Sequence, residues 1–263
     1  MTKAQERARA RRRYEKREAA RIAKEAQRKR DRVVVAVVVC VLVLVAGFVV
    51  LARQLSGSSN EASTPSGSAT STTVAGCQAP PSPLGTNAEL SLPSKKTAEG
   101  KTFVATLTTN CGDIQLTLDG SKAPQAVASF NQLAEKDYWR DSPCHRLTTS
   151  GYYILQCGDP TGTGQGTPGY GFGVENAPKD GKYPRGTVAM ARTSDVKKGN
   201  GGQFFLVYKD TELPGGYTIF GTVTKGMDIV DKIAAAGVSG GGTDGTPAAP
   251  ISILRVSVTE KKG

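Results

Sequence analysis

The stretch "LQCGDPTGTGQGTPGYGF", residues 155–172, begins like a strand and continues into a segment in which seven of the sixteen positions 158–173 are glycine. Such a run suggests a phosphate-binding loop. A P-loop needs the pattern G-x-x-x-x-G-K-[ST], but no lysine occurs between Gly158 and Lys179. A dinucleotide loop must open a helix, whereas prolines and aromatic residues follow here. The pattern therefore argues against a nucleotide site, and the glycines need another explanation.

The sequence around this stretch has the short spacing typical of a β-rich domain. The segments "FVATLTT" and "DIQLTLD" alternate apolar and polar residues across an Asn-Cys-Gly turn, which predicts a hairpin. "APQAVASFNQLAEKD" has helical spacing, with Val127, Phe130 and Leu133 on one face. The other predicted elements are strands at 144–149, 152–157, 186–191, 203–208, 217–224 and 251–259 and a helix at 227–235. Many strands with two helices predict a mainly β fold, a closed antiparallel barrel with helices over its ends.

The N-terminal part of the chain is divided by charge. Residues 1–32 contain 14 Lys+Arg and 5 Asp+Glu, so they carry +9 of the chain's net charge of +11. Residues 33–52, "VVVAVVVCVLVLVAGFVVLA", contain no charge and are long enough as a helix to cross a bilayer core of roughly 30 Å. They predict a single transmembrane helix, because the apolar region of a cleavable signal peptide is usually shorter. The basic tail is then cytoplasmic and the rest extracytoplasmic.

Residues 53–100 separate this predicted anchor from the folded part. They are rich in Ser, Thr and Pro, a composition too polar for a core, and predict a flexible linker before a domain at 101–263. The basic tail could contact anionic lipid or nucleic acid, but a role in membrane topology is favoured. The expected partner of this N-terminal part is therefore a membrane, and no nucleic-acid partner is expected.

Several segments together resemble one enzyme family. "APQAVASFNQLAEKDYW", "CHRL", "LQCGDPTGTGQGTPGYGF", "GTVAMA", "GNGGQFFLVY" and "YTIFGTVTKGMDIVDKI" follow in the order and spacing of a bacterial cyclophilin, a peptidyl-prolyl cis-trans isomerase. The similarity spans about residues 102–260. It implies an eight-stranded antiparallel barrel capped by two helices, in which the glycine-rich segment is a surface loop beside the substrate groove.

The chemistry of that family fits a chain with a single histidine. Rotation about an X-Pro bond is opposed by amide resonance and requires no nucleophile and no general base. It is helped by a donor near the prolyl nitrogen, by an apolar pocket for the ring and by groups that hold the flanking backbone. The reaction needs neither a cofactor nor a metal, and none is expected here.

The resemblance implies a role for eleven residues. Arg146 would be the cation that acts on the prolyl amide, and Gln156 would hold the substrate backbone; these two are the implied catalytic residues. Strand alternation places Phe204 in the core and its neighbour Phe205 in the proline pocket. The residues implied to bind substrate are Tyr153, Ile154, Ala191, Arg192, Thr193, Gln203, Phe205, Leu213 and Tyr217. The segment "LTTSGYYILQ", before and including Gln156, is two residues longer than the family pattern.

Four cysteines, Cys77, Cys111, Cys144 and Cys157, fall on the predicted extracytoplasmic side, and Cys40 falls in the predicted membrane helix. An oxidising compartment favours disulfides over a zinc site, with three possible pairings. If Arg146 and Gln156 face one groove, strand alternation puts Cys144 and Cys157 on different faces. The sequence therefore favours Cys111 over Cys157 as the partner of Cys144.

The sequence as a whole predicts a monomeric, single-pass membrane protein of a bacterial envelope. Its extracytoplasmic domain is expected to isomerise X-Pro bonds in exported proteins and to assist their folding. Two alternatives remain. One is a catalytically weak module that binds proline-containing peptides, and the other is a protein whose basic tail is the functional end.

Overall fold

The computed structural model describes residues 74–262, and the predicted tail at 1–32 and transmembrane helix at 33–52 lie outside them. Within the described residues, no helix has the length and apolar character needed to span a bilayer. The strands are β1 (Thr102–Thr109), β2 (Gly112–Asp119), β3 (Ser142–Pro143), β4 (Arg146–Thr148), β5 (Ile154–Cys157), β6 (Lys182–Tyr183), β7 (Thr187–Arg192), β8 (Asn200–Val207), β9 (Thr211–Glu212), β10 (Ile219–Lys225), β11 (Asp244–Gly245) and β12 (Ser252–Glu260). The helices are α1 (Pro124–Glu135) and α2 (Met227–Ala236), with 3-10 turns at Lys95–Thr97 and Ser239–Gly241.

Ten of these strands form one curled antiparallel sheet, in the order β11-β4-β5-β8-β7-β10-β2-β1-β12-β3, and β6 pairs with β9. Only Cys144 and His145 connect β3 to β4, although these strands lie near opposite ends of the sheet, so the sheet curls to bring its ends together. The predicted mainly β fold with two helices is confirmed. The predicted closed barrel of eight strands is wrong in detail, because the two-residue strands β3 and β11 extend the sheet and no ladder joins them.

One face of the sheet packs on the main core, and the side chains of its long strands alternate into it. Helix α1 packs its buried face against this core, and the Phe130 ring lies 4.6 Å from that of Trp139 and 5.6 Å from that of Phe204, centroid to centroid. Val127 and Leu133 are also buried, as the helical spacing predicts. Each large apolar side chain buried in this way contributes about 1.5–3 kcal/mol to folding. The periodicities in the sequence therefore identify the core correctly.

The predicted linker at 53–100 lies outside the described residues up to position 73, and its remainder contacts the domain. Residues 77–94, here called the strap, run along the domain and donate or accept hydrogen bonds that fix their backbone. The amide of Gly85 donates to the carbonyl of Pro160 at 3.2 Å, and the amide of Leu90 donates to that of Pro168 at 2.8 Å. Ala88 and Leu90 of the strap also pack against the main core. Composition does not predict these contacts, because polar residues between them can pair with a neighbouring backbone.

The disulfides are Cys77–Cys111 and Cys144–Cys157. The first joins the strap to the β1–β2 turn. The favoured pairing of Cys144 with Cys111 is wrong, because the alternation argument assumes a regular strand from 144 to 149. The chain instead breaks between β3 and β4, and Cys144 turns into the core beside Cys157.

Candidate active site

Four neighbouring strands carry the centre of the site in a single cross-strand row. Arg146 on β4 is opposite Gln156 on β5, Gln156 is opposite Phe205 on β8, and Phe205 is opposite Ala189 on β7. Directly opposed residues in an antiparallel sheet share one face. The row lies on the face away from the main core, because the adjacent residues Leu147, Leu155 and Leu206 belong to that core.

A continuous hydrogen-bond network links the polar members of this row. The Nη1 of Arg146 donates to Oε1 of Gln156 at 3.3 Å, and Nε2 of Gln156 donates to Oε1 of Gln203 at 3.0 Å. Nε2 of Gln203 then donates to the carbonyls of Gly164 and Gly166, at 3.0 and 3.1 Å. The network fixes the orientations of both amides, and it couples Arg146 to the glycine-rich loop at 158–173.

The other edge of the Arg146 guanidinium is held by a carboxylate. Nε and Nη2 of Arg146 donate to Oδ1 and Oδ2 of Asp244, each at 2.7 Å. These hydrogen bonds raise the pKa of Arg146, and they lower the pKa of Asp244. Both groups therefore stay charged through the neutral pH range. Sequence reasoning missed Asp244, which lies 98 residues beyond Arg146 in a Gly-rich segment with no motif.

A pocket of about 190 Å³ opens beside Arg146 and Gln156, and it is called the apolar pocket here after the aliphatic and aromatic side chains in its lining. Phe205 and Leu213 are buried in its wall, and the Tyr217 ring packs against the Phe205 ring at 5.5 Å with an interplanar angle of 82°. Ile154, Ala191 and Pro214 also belong to the lining. The apolar side chains suit this pocket to holding an apolar ring, and its lining includes no Ser, Cys, His, Asp or Glu.

Arg192 forms a ridge between this pocket and a second one. Its Nε donates to the carbonyl of Gly216 at 2.9 Å, its Nη1 to the carbonyl of Thr193 at 2.8 Å, and its Nη2 to that of Gly215. The guanidinium also lies 5.1 Å above the centroid of the Tyr217 ring. Arg192 therefore braces the turn that carries the far wall of the apolar pocket.

The second, polar pocket has a volume of about 260 Å³ and shares Gln156, Ala191 and Arg192 with the first. One wall is the glycine-rich loop, and Thr193, Lys198 and Gln203 are among the other lining residues. Its lining carries the cations of Arg192 and Lys198 and no carboxylate. An extended peptide seated in the apolar pocket could therefore place a neighbouring side chain here.

The structure does not bring Tyr153 into the apolar pocket. Its ring packs edge-on against Tyr208, with centroids 5.9 Å apart, and the Nζ of Lys209 lies 4.4 Å from its centre. Tyr152 lines the apolar pocket instead. Strand β5 begins only at Ile154, so the longer turn before it shifts the two tyrosines by one position relative to the family pattern. The other ten residues implied by the resemblance line one or both pockets.

The comparisons with known proteins agree with this geometry. The model of the family described as "Cyclophilin type peptidyl-prolyl cis-trans isomerase/CLD" matches residues 104–258. A Mycobacterium tuberculosis protein named "Probable peptidyl-prolyl cis-trans isomerase B" is 43% identical over 197 residues, which cover 69% of this chain and 63% of that protein. A Helicobacter pylori protein named "Peptidyl-prolyl cis-trans isomerase" is 38% identical over 136 residues, or 51% of this chain and 81% of the relative.

A solved structure gives the same result. The crystal structure of a Cryptosporidium parvum cyclophilin type peptidyl-prolyl cis-trans isomerase, obtained in the presence of the dipeptide Ala-Pro, matches with a TM-score of 0.51 and 30% identity. The match covers 60% of this chain and 99% of that one. The chain aligns with less than two thirds of the length of its mycobacterial relative, but the family model covers more than half of the chain. The chain therefore belongs to the cyclophilin type peptidyl-prolyl cis-trans isomerase family.

Proposed function

We propose that this chain is a peptidyl-prolyl cis-trans isomerase that acts on X-Pro bonds of polypeptides. The observation that carries the proposal is the placement of the Arg146 guanidinium at the rim of an apolar pocket whose size and lining suit a proline ring. The Cryptosporidium relative crystallised in the presence of Ala-Pro supports a ligand of this class.

The proposed mechanism uses the site without any covalent step. The proline ring enters the apolar pocket against Phe205 and Leu213, and Gln156 holds the flanking peptide backbone. The Arg146 guanidinium then lies near the prolyl nitrogen and favours localisation of its lone pair, which weakens the amide resonance. This resonance accounts for a barrier of roughly 18–20 kcal/mol in free peptides. Since the cation is already in place, little reorganisation is required as the bond rotates.

The test is an isomerisation assay on an Ala-Pro peptide with residues 68–263, because the described residues 74–262 fall within one compact unit. Arg146→Ala should lower kcat/KM by roughly two to three powers of ten, the usual effect of removing one preorganised donor. Arg146→Lys should recover only part of the rate, because an ammonium lacks the planar fork. Arg185→Ala is the matched control, because Arg185 also pairs with an aspartate but lies outside both pockets.

Two results would contradict the proposal. Wild-type activity in a folded Arg146→Ala protein would exclude the proposed role of the guanidinium. A wild-type protein that binds the peptide without accelerating its isomerisation would favour the alternative, a module that only holds proline-containing peptides.

We also propose that the domain works outside the cytoplasm, where it assists the folding of exported or envelope proteins. The supports are the apolar segment at 33–52, the basic residues before it and two disulfides, which persist on the oxidising side of a membrane. Protease added to intact spheroplasts should remove the domain and leave the basic tail protected. Protection of the domain would contradict this orientation.

A further inference from the structure

The Arg146–Asp244 contact has a geometry that the proposed isomerase activity does not by itself require. The carboxylate takes two parallel hydrogen bonds from one edge of the guanidinium, and such bidentate pairs fix the plane of the arginine fork. The single bond from Arg146 to Gln156, at 3.3 Å, is longer and leaves the plane free to rotate. Asp244 therefore provides most of the orientation.

The backbone around Asp244 is attached to the strand that carries Arg146. Strand β11 pairs with β4, with Asp244 opposite Thr148 and Gly245 opposite Leu147. The amide of Thr149 also donates to the carbonyl of Thr243 at 2.8 Å. Because both partners belong to adjacent strands of one sheet, their separation is set by strand pairing and not by a mobile loop.

A count of donors shows what the pair leaves available. A guanidinium has five N–H groups. Among the described residues, Asp244 accepts from two of them and Gln156 from one, which leaves one N–H on each of Nη1 and Nη2. Arg146 lines the apolar pocket, whereas Asp244 does not. The carboxylate thus occupies one edge of the guanidinium and leaves donors for a ligand in the pocket.

We propose that Asp244 is a positioning residue, whose carboxylate holds the Arg146 guanidinium in the orientation that acts on the prolyl amide. This inference rests on the proposed isomerase function and adds a residue to it. The side chains of Arg146 and Asp244 are 38% and 51% exposed, and pairs as exposed as this contribute little to folding stability. Loss of Asp244 should therefore change the rate and leave the melting temperature nearly unchanged.

The main test compares variants of the full chain by NMR exchange on a saturating Ala-Pro peptide, which separates the on-enzyme rate from Kd. Asp244→Ala should slow the on-enzyme rate about tenfold, because the donor remains but loses its fixed geometry. Kd should change less than about twofold, since the apolar pocket is intact. Asp244→Asn should slow the rate less, because its amide oxygen still accepts one bond, and Asp244→Glu should recover most of it.

The matched control is Asp231→Ala. Asp231 accepts two hydrogen bonds from Arg185, at 2.6 and 2.7 Å, with side chains about as exposed as those of Arg146 and Asp244, and it lines neither pocket. The Asp231→Ala substitution should leave the on-enzyme rate unchanged. An on-enzyme rate in a folded Asp244→Ala protein that equals or exceeds the wild-type rate would overturn the proposal. Asp244 would then have no effect on the reaction, or would slow it as a counter-ion of Arg146.

A second measurement does not depend on activity. Phenylglyoxal modifies accessible guanidinium groups, and peptide mapping can follow each arginine in the full chain. Modification of Arg146 should become several-fold faster in Asp244→Ala and stay unchanged in Asp231→Ala, with the reverse pattern at Arg185. If the wild-type protein lacks isomerase activity, the proposed function fails. The positioning role is then decided by this measurement, and an unchanged rate at Arg146 overturns it.

Discussion

The disulfide between Cys77 and Cys111 should determine whether the strap stays on the domain. The perturbation is the double substitution Cys77→Ala and Cys111→Ala. The bond closes a loop with a sequence separation of 34. The chain-entropy relation assigns such a loop roughly 4 kcal/mol of stabilisation, a large share of the 5–15 kcal/mol that a typical domain possesses. At about 2–4 °C per kcal/mol for a unit of this size, the melting temperature should fall by about 8–16 °C.

The same substitution should also loosen one wall of the polar pocket. Beyond Cys77, the strap is held by hydrogen bonds that include Thr167 N to Asn87 Oδ1 at 2.9 Å and Gln125 Nε2 to the carbonyl of Pro93 at 2.9 Å. Each is worth only about 0.5–1.5 kcal/mol net, whereas ordering each strap residue costs about 1–2 kcal/mol. The tether is therefore needed to keep these bonds formed.

The assay is thermal unfolding by circular dichroism together with amide hydrogen exchange on residues 68–263. Protection at Gly85 and Leu90 should be lost in the double variant, whereas amides of β1 and β2 should stay protected relative to global unfolding. Thr86→Ala, an exposed strap position, is the control and should change neither measurement. An unchanged melting temperature together with intact protection at Gly85 and Leu90 would show that the strap is held by its own contacts and refute this reasoning.

Three further predictions concern the site and its support. Trp139→Phe should lower the free energy of unfolding, measured in urea titrations, by roughly 2–4 kcal/mol. The Trp139 Nε1–H donates to the carbonyls of Gly158 and Gly202, and the smaller phenyl ring leaves both carbonyls without this donor. A peptide with Glu two or three positions before the proline should have a kcat/KM about threefold higher than the same peptide with Lys. The reason is that the polar pocket is lined by two cations and no carboxylate. Equal kcat/KM values would show that this pocket does not select peptides by charge. The rate should be flat from pH 6 to 8 and fall only in acid. The bonds from Arg146 lower the pKa of Asp244, so its carboxylate stays charged through the normal carboxyl range and loses its charge only as the pH drops through the lowered pKa; a change in rate between pH 6 and 8 would contradict this reasoning.

Much of the fold could be predicted from the sequence because its strong periodicities are local. The hairpin of β1 and β2, helices α1 and α2 and the long strands follow from spacing alone. The two-residue strands could not be predicted, since two residues define no period and pair only because the sheet curls. The strap could not be predicted either, because its contacts are isolated hydrogen bonds and a few partly buried side chains, such as Ala88 and Leu90, that form no periodic pattern.

The site could be predicted where a motif is contiguous and not where the fold assembles it. Arg146, Gln156 and Phe205 lie in recognisable segments, and the structure places them in one row. Asp244 reaches Arg146 only through the pairing of β11 with β4. The pairing of Cys144 and the choice between the two tyrosines both depend on where a strand starts, which is the least reliable part of any sequence-based assignment.

The glycine-rich loop also acquires a physical explanation. Asp159 is fully buried, and it accepts hydrogen bonds from the amide of Thr161 at 2.8 Å and from the amide of Gly166 at 3.1 Å. Burial alone would raise the pKa of Asp159, but hydrogen bonds from Thr161 and Gly166 outweigh it and lower the pKa. A Cβ at Gly166 would lie 1.8 Å from Oδ1 of Asp159, so only glycine permits this approach.

The glycine-rich loop therefore surrounds an anionic group, as a phosphate-binding loop would, but this group is the carboxylate of Asp159. Gly158, with φ of +92°, opens the loop where a Cβ would lie 2.5 Å from the carbonyl of Gly202, so β5 can leave the sheet close against β8. Amides at Thr161 and Gly166 are then occupied by Asp159, and carbonyls at Gly164 and Gly166 by Gln203. These groups cannot bind a phosphate without releasing Asp159. Their arrangement instead holds the loop as a fixed wall of the polar pocket, joined through Gln203 and Gln156 to Arg146.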